Sequence, residues 1–404
     1  MKRRDFLAAM ALTALIPAVP SAQAAGEGKD SKRLVVLFLR GGLDGLSALP
    51  PVDDPWYYRA RPSIALPPPG REGGALPLLP GFGLHPALEP LMDLWRAGTL
   101  AFIPACGLHT PIRTHPEAQQ AMESGMPGER HFQDGWMARL IPLLGRNTQA
   151  LTLAAKPPLI GQGKPGARNV KPSGFPPSLW PLSRPEAFKS FDAVYRGSDP
   201  LTRAYRQSQI TMRNQFAELD REILVSASGA PSVHALPTLG GQIVSYMEKN
   251  PSTRLVYAAL GGLDAHFEQG TGKGPLAEAF VSLGKGLAGL AKALGPSLAD
   301  TVVLVMSEFG RSLRENEYAG TDNGHGTLFM LLGGKAAGGA LHGAWPGLAP
   351  DKLSDGLDLA VTMDYREVLA RVIIDHFGLD NAAVAHVLPA YVMSGKAEGL
   401  FRSA

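Results

Sequence analysis

The sequence predicts an α/β fold built around a largely parallel sheet. Short, uninterrupted apolar runs rich in β-branched residues recur along the chain, which suits strands buried on both faces. Segments with helical spacing lie between these runs, so strands and helices alternate. Polar, glycine-rich loops follow several runs directly, at the strand ends where open α/β sheets bind ligands. The predicted strands cover residues 34–39, 100–103, 254–260, 302–306 and 328–332.

Helical spacing is clearest in residues 86–97, 117–123, 239–249 and 276–294, and Asp364 is placed to cap a further helix that runs to His376. Residues 53–79 and 157–185 are rich in proline and glycine and show no period, whereas residues 186–226 are mostly helical in pattern. We therefore expect a single domain over residues 25–404, with a helical and Pro-rich insertion at about residues 157–235.

The first 24 residues have the pattern of a secretory signal peptide. Lys2, Arg3 and Arg4 precede an apolar stretch, and Ala22-Gln23-Ala24 forms a small-x-small cleavage site. The adjacent arginines indicate the twin-arginine export machinery as a partner. A membrane anchor is disfavoured, because the apolar stretch is short and contains prolines. We expect residues 1–24 to be removed and the protein to be periplasmic or otherwise extracytoplasmic.

Composition narrows the function classes. The chain has 404 residues and a formal net charge of +3, which falls to about +1 without the predicted signal. Lysine and arginine are scattered, so no nucleic-acid surface is expected. The single cysteine, Cys106, excludes an internal disulfide and stands beside an apolar run, which indicates a small core residue. No later segment has the length of a transmembrane helix.

Carboxylates and imidazoles stand just after three of the predicted strands. Oxygen and nitrogen donors of this kind, with a hydroxyl nearby, are what a two-metal hydrolytic site needs. Single Asp and His residues in loops more often cap helices or bond to backbone, so each residue alone leaves the structural interpretation open. Their repeated placement favours a site. These candidate metal ligands are Asp44, Asp264, His266, Asp322 and His325.

The start of the helix at residues 117–123 supplies the hydroxyl. Either Thr114 or His115 would cap this helix, with Pro116 at its first position. A helix N-terminus that follows a strand favours negative charge, and Arg113 would add to this.

Several motifs occur in a fixed order and together resemble a known family. They are Leu39-Arg40-Gly41-Gly42-Leu43-Asp44-Gly45, Thr114-His115 with Gln119, Gly261-Gly262-Leu263-Asp264-Ala265-His266, Glu308-Phe309-Gly310-Arg311, residues 320–326, and Gly343-Ala344-Trp345-Pro346-Gly347-Leu348. With the twin-arginine signal, this order resembles a bacterial family known as domain of unknown function 1501, grouped with the alkaline phosphatase and sulfatase superfamily. The resemblance covers nearly the whole chain after the signal. It implies a three-layer α/β/α sandwich with metal ligands at strand ends and a Ser or Thr nucleophile at a helix start.

Position by position, Asp44 resembles the early metal aspartate of the superfamily, and Asp264 with His266 resembles the pair of one metal site. Asp322 resembles the aspartate of the later pair. Thr114 falls near the nucleophile, where His115 competes for the equivalent place. Two departures stand out: Asn323 occupies a position where histidine is common, and Thr114 one where serine is common. Because an amide oxygen is a poorer ligand than imidazole, Asn323 brings one metal position into question, and His325 is a candidate replacement.

The resemblance therefore implies an exported hydrolase of phosphate or sulfate esters that uses a divalent metal such as Zn, Mn or Ca. Thr114 would attack a small anionic ester held by Arg113 or Arg40. Arg311, which follows Glu308, is expected to hold its loop through an ion pair. The alternative is a catalytically impaired binding or assembly protein on the same fold, which Asn323 favours. A serine esterase is disfavoured, because the chain has no Gly-x-Ser-x-Gly elbow.

Overall fold

The structure is a computed structural model that describes residues 31–129, 133–171, 199–204 and 226–402. The fold is organised around an eight-stranded sheet. The order of strands across the sheet is β10-β4-β9-β8-β1-β7-β5-β6, and β2 and β3 form a separate hairpin. The strands are β1 (Arg33–Leu39), β2 (Leu76–Leu79), β3 (Phe82–Leu84), β4 (Leu100–Gly107), β5 (Gln149–Leu153), β6 (Arg168–Val170), β7 (Thr253–Leu260), β8 (Thr301–Ser307), β9 (Thr327–Gly333) and β10 (Met363–Asp364).

Helices connect the strands on both faces. The α-helices are α1 (Gly45–Ala48), α2 (Pro55–Ala60), α3 (Met92–Arg96), α4 (His115–Ser124), α5 (Trp136–Leu140), α6 (Leu236–Lys249), α7 (Pro275–Leu294), α8 (Tyr365–Arg371) and α9 (Asn381–Val387). Short 3₁₀ turns cover Pro86–Leu91, Ile141–Leu144, Leu159–Gly161, Val233–Ala235, Gly295–Asp300 and Pro350–Lys352, and Val372–His376 forms a π-helical turn after α8.

The sheet is parallel apart from β9. The central strand β1 runs parallel to β7 and β8 in register, with Leu34 opposite Leu255 on one side and Val302 on the other. Strand β9 is antiparallel to β4 and β8. The loop between β8 and β9 stays at the carboxyl edge of the sheet, and a parallel β9 would have needed a connection back to the opposite edge. The predicted mostly parallel sheet is thus confirmed.

Two apolar cores lie on opposite faces of the sheet. Val36 and Phe38 of β1 face α4, α5, α8 and α9, whereas Val35 and Leu37 face α3, α6 and α7. Every residue of β1 from Leu34 to Leu39 is fully buried. This accounts for the uninterrupted apolar run, since a strand covered on both faces has no solvent side to alternate with. The three layers predicted from the family resemblance are confirmed.

The predicted element boundaries hold for the long apolar segments and fail for the short ones. Strands β5, β6 and β10 and helix α5 carry too little pattern to be predicted. Strand β6 lies inside the insertion predicted at about residues 157–235 and completes one edge of the sheet. Residues 172–198 and 205–225 of that insertion, and the predicted signal at residues 1–24, lie outside the described residues, so both stay predictions.

Two expectations from composition concern Cys106 and membrane spans. The Cys106 side chain is fully buried in β4, and burial raises the pKa of its thiol well above the usual value, so the residue packs as a neutral core group. Within the described part of the chain, no helix has both the length and the apolar character required to cross a bilayer.

His376 is expected to make stability depend on pH. Its side chain is buried, and Nε2 lies 2.9 Å from the carbonyl oxygen of Arg33. Burial lowers the pKa of His376 to about 4, below the value of about 6.5 in an unfolded chain. The unfolded chain therefore takes up the proton first as the pH falls from about 6.5 to 4, and stability present at neutral pH is lost over that window, by about 2 kcal/mol at pH 5.

Urea unfolding at pH 7.5 and pH 5 measures this loss. The His376→Gln variant should lose less stability between the two pH values than the parent protein. His386, which is exposed on α9, provides the matched His386→Gln control and should behave as the parent does. An unchanged pH dependence in the His376→Gln variant would contradict the assignment.

Candidate functional site

The loops that follow β1, β7 and β8 meet at the carboxyl edge of the sheet. The amide of Gly41 donates to Glu308 Oε1 at 2.9 Å, and the carbonyl oxygen of Gly41 accepts from Arg311 Nη1 at 3.2 Å. Gly41 has φ +106°, and a Cβ atom there would lie 2.9 Å from the amide nitrogen of Asp264. Glycine is therefore required for the loops to approach this closely.

Five side chains at this edge alternate between carboxylate and imidazole, and we call them the carboxyl-edge array. Asp322 Oδ1 lies 3.1 Å from His266 Nδ1, and His266 Nε2 lies 3.0 Å from Asp264 Oδ1. Asp264 Oδ2 lies 3.7 Å from His115 Nε2, and His115 Nδ1 lies 2.8 Å from Glu308 Oε1. The array runs from the exposed carboxylate of Asp322 to the fully buried one of Glu308.

The contact between His115 and Asp264 is the longest link of the array, at 3.7 Å. His115 Nε2 and Asp264 Oδ2 are both buried, and neither has a hydrogen-bond partner among the described residues. Burial opposes the charge of Glu308, but hydrogen bonds from His115, Gly41 and Gln119 lower its pKa, so it accepts the His115 Nδ1 proton. His115 Nε2 and Asp264 Oδ2 therefore face each other at 3.7 Å without a hydrogen bond, and a cation between them would take both as ligands.

Arg311 neutralises the other oxygen of Asp264. Its Nη1 donates to Asp264 Oδ1 at 2.7 Å and to Asn323 Oδ1 at 2.8 Å, and the guanidinium is fully buried. Burial alone would raise the pKa of Asp264, but the charge of Arg311 and the hydrogen bond from His266 hold it far below the usual value. Asp264 is therefore ionised, and it is the partner of the ion pair through which Arg311 holds the loop after β8.

His266 is held between two carboxylates. Burial opposes its protonation, but hydrogen bonds to Asp264 and Asp322 raise its pKa. Its ring thus lies between the exposed Asp322 and the buried Asp264, with Nδ1 3.1 Å from Asp322 Oδ1 and Nε2 3.0 Å from Asp264 Oδ1.

Asp44 lies in a separate buried cluster. Its Oδ2 accepts from Arg61 Nη1 at 2.8 Å, from Ser47 Oγ at 2.6 Å and from Gln269 Nε2 at 3.0 Å, and its Oδ1 accepts from the amide of Ser47, which caps α1. Burial opposes ionisation, but the charge and hydrogen bond of Arg61 lower the pKa of Asp44. The carboxylate is therefore committed to Arg61, and the capping role that its loop position suggested is the observed one.

The later histidine, His325, is also engaged elsewhere. Its Nε2 lies 2.7 Å from the carbonyl oxygen of Leu108, and its Nδ1 lies 3.0 Å from Ser354 Oγ. Burial lowers the pKa of His325, so the ring is neutral and bridges two loops. The structure thus brings Asp264, His266 and Asp322 together with His115, and it positions Asp44 and His325 against other partners.

The helix start offers an exposed hydroxyl. Thr114 is the N-cap residue of α4, and its Oγ1 donates to Glu117 Oε2 at 2.6 Å. Glu117 was missed from the sequence, although the Thr-x-x-Glu spacing of a helix capping box would have pointed to it. Arg113 pairs with Asp358 at 2.7 Å and is partly exposed, whereas Arg40 is buried against Glu123 at 2.9 Å.

The separation of the His115–Asp264 pair can be compared with the spacing of metal ligands. Zinc bonds of about 2.0–2.1 Å to nitrogen and oxygen put neighbouring ligand atoms about 3.3–3.5 Å apart in regular geometry, close to the separation of His115 Nε2 and Asp264 Oδ2. Glu308 would orient the His115 ring from the far side. Across residues 31–129, 133–171, 199–204 and 226–402, no group of three His, Cys, Asp or Glu side chains is arranged around a common metal position. The array therefore offers two facing ligand atoms and not a full metal-ligand set.

Comparison with known proteins gives a family match and several distant structural neighbours. A putative sulfatase, yidJ from Bacteroides fragilis, shares 8% identity and a TM-score of 0.42, with 94% of this chain and 80% of that chain covered. A protein in the alkaline phosphatase superfamily from Vibrio parahaemolyticus shares 12% identity and a TM-score of 0.35, with coverage of 75% and 60%. The lipoteichoic acid synthase LtaP from Listeria monocytogenes shares 12% identity and a TM-score of 0.37, with coverage of 75% and 66%.

The chain thus spans less than two thirds of the length of the last two proteins. No curated protein matches the sequence. Over residues 240–390, which include β7, α7, β8, β9 and α8, the chain matches the family that its motifs predicted, described as "Protein of unknown function (DUF1501)".

Proposed function

We propose that this protein is an exported, metal-dependent hydrolase of phosphate or sulfate esters, with its reaction centre at the carboxyl-edge array. The observation that carries the proposal is the facing pair of buried atoms without hydrogen bonds, His115 Nε2 and Asp264 Oδ2, 3.7 Å apart. Buried polar atoms without partners are costly, and a cation between these two would bind both. Export rests on Arg3 and Arg4 of the predicted signal.

The residues of the chain have the following roles in this proposal. Thr114 Oγ1 attacks the phosphorus or sulfur atom, Glu117 receives the hydroxyl proton across their 2.6 Å hydrogen bond, and the bond to the ester alkoxide breaks, with the alkoxide protonated by solvent as it leaves. Water then attacks the Thr114 ester, gives one proton to solvent and one to Thr114 Oγ1, and releases phosphate or sulfate. Arg113 and the free amides at the start of α4 hold the anionic ester oxygens. His115 and Asp264 would hold the metal ion, which when bound polarises the ester oxygen.

One purification tests these claims together. The full chain is expressed, the periplasmic fraction is collected, and the purified protein is assayed for bound metal and for hydrolysis of aryl phosphates and aryl sulfates. We expect a divalent metal and turnover of one ester class. Thr114→Val should abolish turnover and keep the metal, because it removes only the hydroxyl. If the protein is absent from the periplasmic fraction, the export claim is wrong. If the purified protein has neither bound metal nor turnover, the enzyme claim is wrong.

One observation favours the alternative, a catalytically impaired binding or assembly protein. Arg311 already neutralises Asp264 and bonds to Asn323. Its guanidinium therefore occupies part of the space that a metal ion bound by these two side chains would need. Chelation separates the two functions. A resident metal stabilises the folded state, so a chelator should lower the melting temperature by several degrees in the hydrolase and leave it unchanged in the impaired protein.

A further inference from the structure

A cleft of about 490 Å³ opens at the opposite edge of the sheet from the carboxyl-edge array. It lies where β1 and β8 begin and the antiparallel β9 ends, and we call it the basal cleft. A seven-residue strand such as β1 spans about 20 Å, so the two sites are separated by roughly the length of a strand. The charged residues that line the basal cleft are Lys32, Asp300, Lys335, Arg371, Asp375 and Arg402.

The lining carries more positive than negative charge. Arg371 is committed to Asp375 through two bonds, Nε to Oδ2 at 2.7 Å and Nη2 to Oδ1 at 2.5 Å. Of the remaining lining cations, Arg402 donates from Nη2 to the carbonyl oxygen of Gly98 at 2.5 Å, a neutral partner, and the other lining carboxylate beside Lys32 and Lys335 is Asp300. The basal cleft therefore has an excess of positive charge in a recess, which concentrates small anions.

Two of these cations are held side by side by the backbone. The amide of Arg402 donates to the carbonyl oxygen of Lys335 at 2.9 Å, next to an antiparallel bridge between Ala336 and Phe401. Like charges opposite each other across such a pairing are unfavourable. Lys335 also has φ +66°, a left-handed conformation that costs a lysine energy. The backbone pairing thus places both cations on the lining of the same recess.

We propose that the basal cleft binds a small soluble anion with two or more negative charges, of the phosphate or pyrophosphate type. The volume lies within the range of about 300–1,000 Å³ that is usual for small-ligand sites. Lys335 and Arg402 supply the principal contacts, Lys32 adds a third positive charge, and Asp300 opposes binding. The inference is independent of the hydrolase proposal, because it concerns the other edge of the sheet.

Isothermal titration of the full chain with inorganic pyrophosphate at low salt tests the proposal. We expect saturable binding that weakens as salt is added, because the contacts are ionic. Combining Lys335→Asn with Arg402→Gln should weaken binding at least about tenfold. Asparagine tolerates the left-handed conformation of residue 335, so the double variant removes charge without adding backbone strain. Lys352→Asn, at an exposed residue paired with Asp351, is the matched control and should bind as the parent does.

Asp300→Asn provides a test with the opposite sign. Removing the opposing carboxylate should tighten pyrophosphate binding about threefold to tenfold, an outcome that damage to the fold would not produce. Tighter binding by Asp300→Asn and weaker binding by the double variant together support the basal cleft as the site. No binding at millimolar pyrophosphate, or an affinity that neither change alters, would overturn the proposal.

Discussion

Replacing Asp44 by alanine is expected to lower the free energy of unfolding by about 3–5 kcal/mol. The side chains of Asp44 and Arg61 are both fully buried, and Arg61 also donates to the carbonyl oxygens of Leu313 and Ser312. Without the carboxylate, a guanidinium charge remains in a dry environment that water cannot reach. The same guanidinium ties residues 53–79 to the loop after β8, so the loss should spread to both segments. Urea unfolding of the parent and the variant at pH 7.5 measures the difference.

A surface pair provides the matched control. Asp93 and Arg96 form an ion pair at 3.3 Å whose side chains are both largely exposed, so Asp93→Ala should change stability by less than about 0.5 kcal/mol. The experiment also decides between two roles for Asp44. If Asp44 is a structural carboxylate, the Asp44→Ala variant is less stable with or without chelator and its bound metal is unchanged. If Asp44 is a metal ligand, as the sequence indicated, the variant has a lower metal content and loses little stability in chelated protein.

The central strands of the sheet could be predicted from the sequence because they are buried on both faces. In β1, β7 and β8 every side chain from the second residue onward is buried, so each strand appears in the sequence as an uninterrupted apolar run. The two strands at the sheet edges give no such signal. Strand β6 has three residues and β10 has two, and their pairing depends on neighbours far away in the sequence.

The same distinction explains the candidate site. Parallel strands end at one edge, so polar residues after β7 and β8 had to come close, and Asp264, His266 and Asp322 do. The partner of a buried carboxylate is not encoded nearby. Arg61 belongs to a proline-rich segment without period, and Arg311 could have reached either Glu308 or Asp264. Which cation takes which carboxylate depends on packing, and that choice separates Asp44 from the array.

Replacing Asp264 by asparagine is expected to give the largest functional loss, a fall in kcat/KM of about 10³-fold, or roughly 4 kcal/mol of transition-state stabilisation. The change conserves volume but removes the charge opposite His115 Nε2, so bound metal should fall well below one equivalent. It also leaves the buried Arg311 without its carboxylate, which should lower stability by about 3 kcal/mol. Steady-state kinetics, metal analysis and urea unfolding measure the three effects.

Arg311→Met is the control that separates a ligand from a structural partner. It breaks the same ion pair and should cost similar stability in chelated protein, because it leaves the Asp264 carboxylate buried and unpaired. It keeps the His115–Asp264 pair and increases the negative charge there, so metal affinity should rise where Asp264→Asn makes it fall. If both variants lost metal equally, Asp264 would serve only to hold Arg311. If Asp264→Asn kept the parent's metal content and kcat/KM, the reaction centre would lie elsewhere.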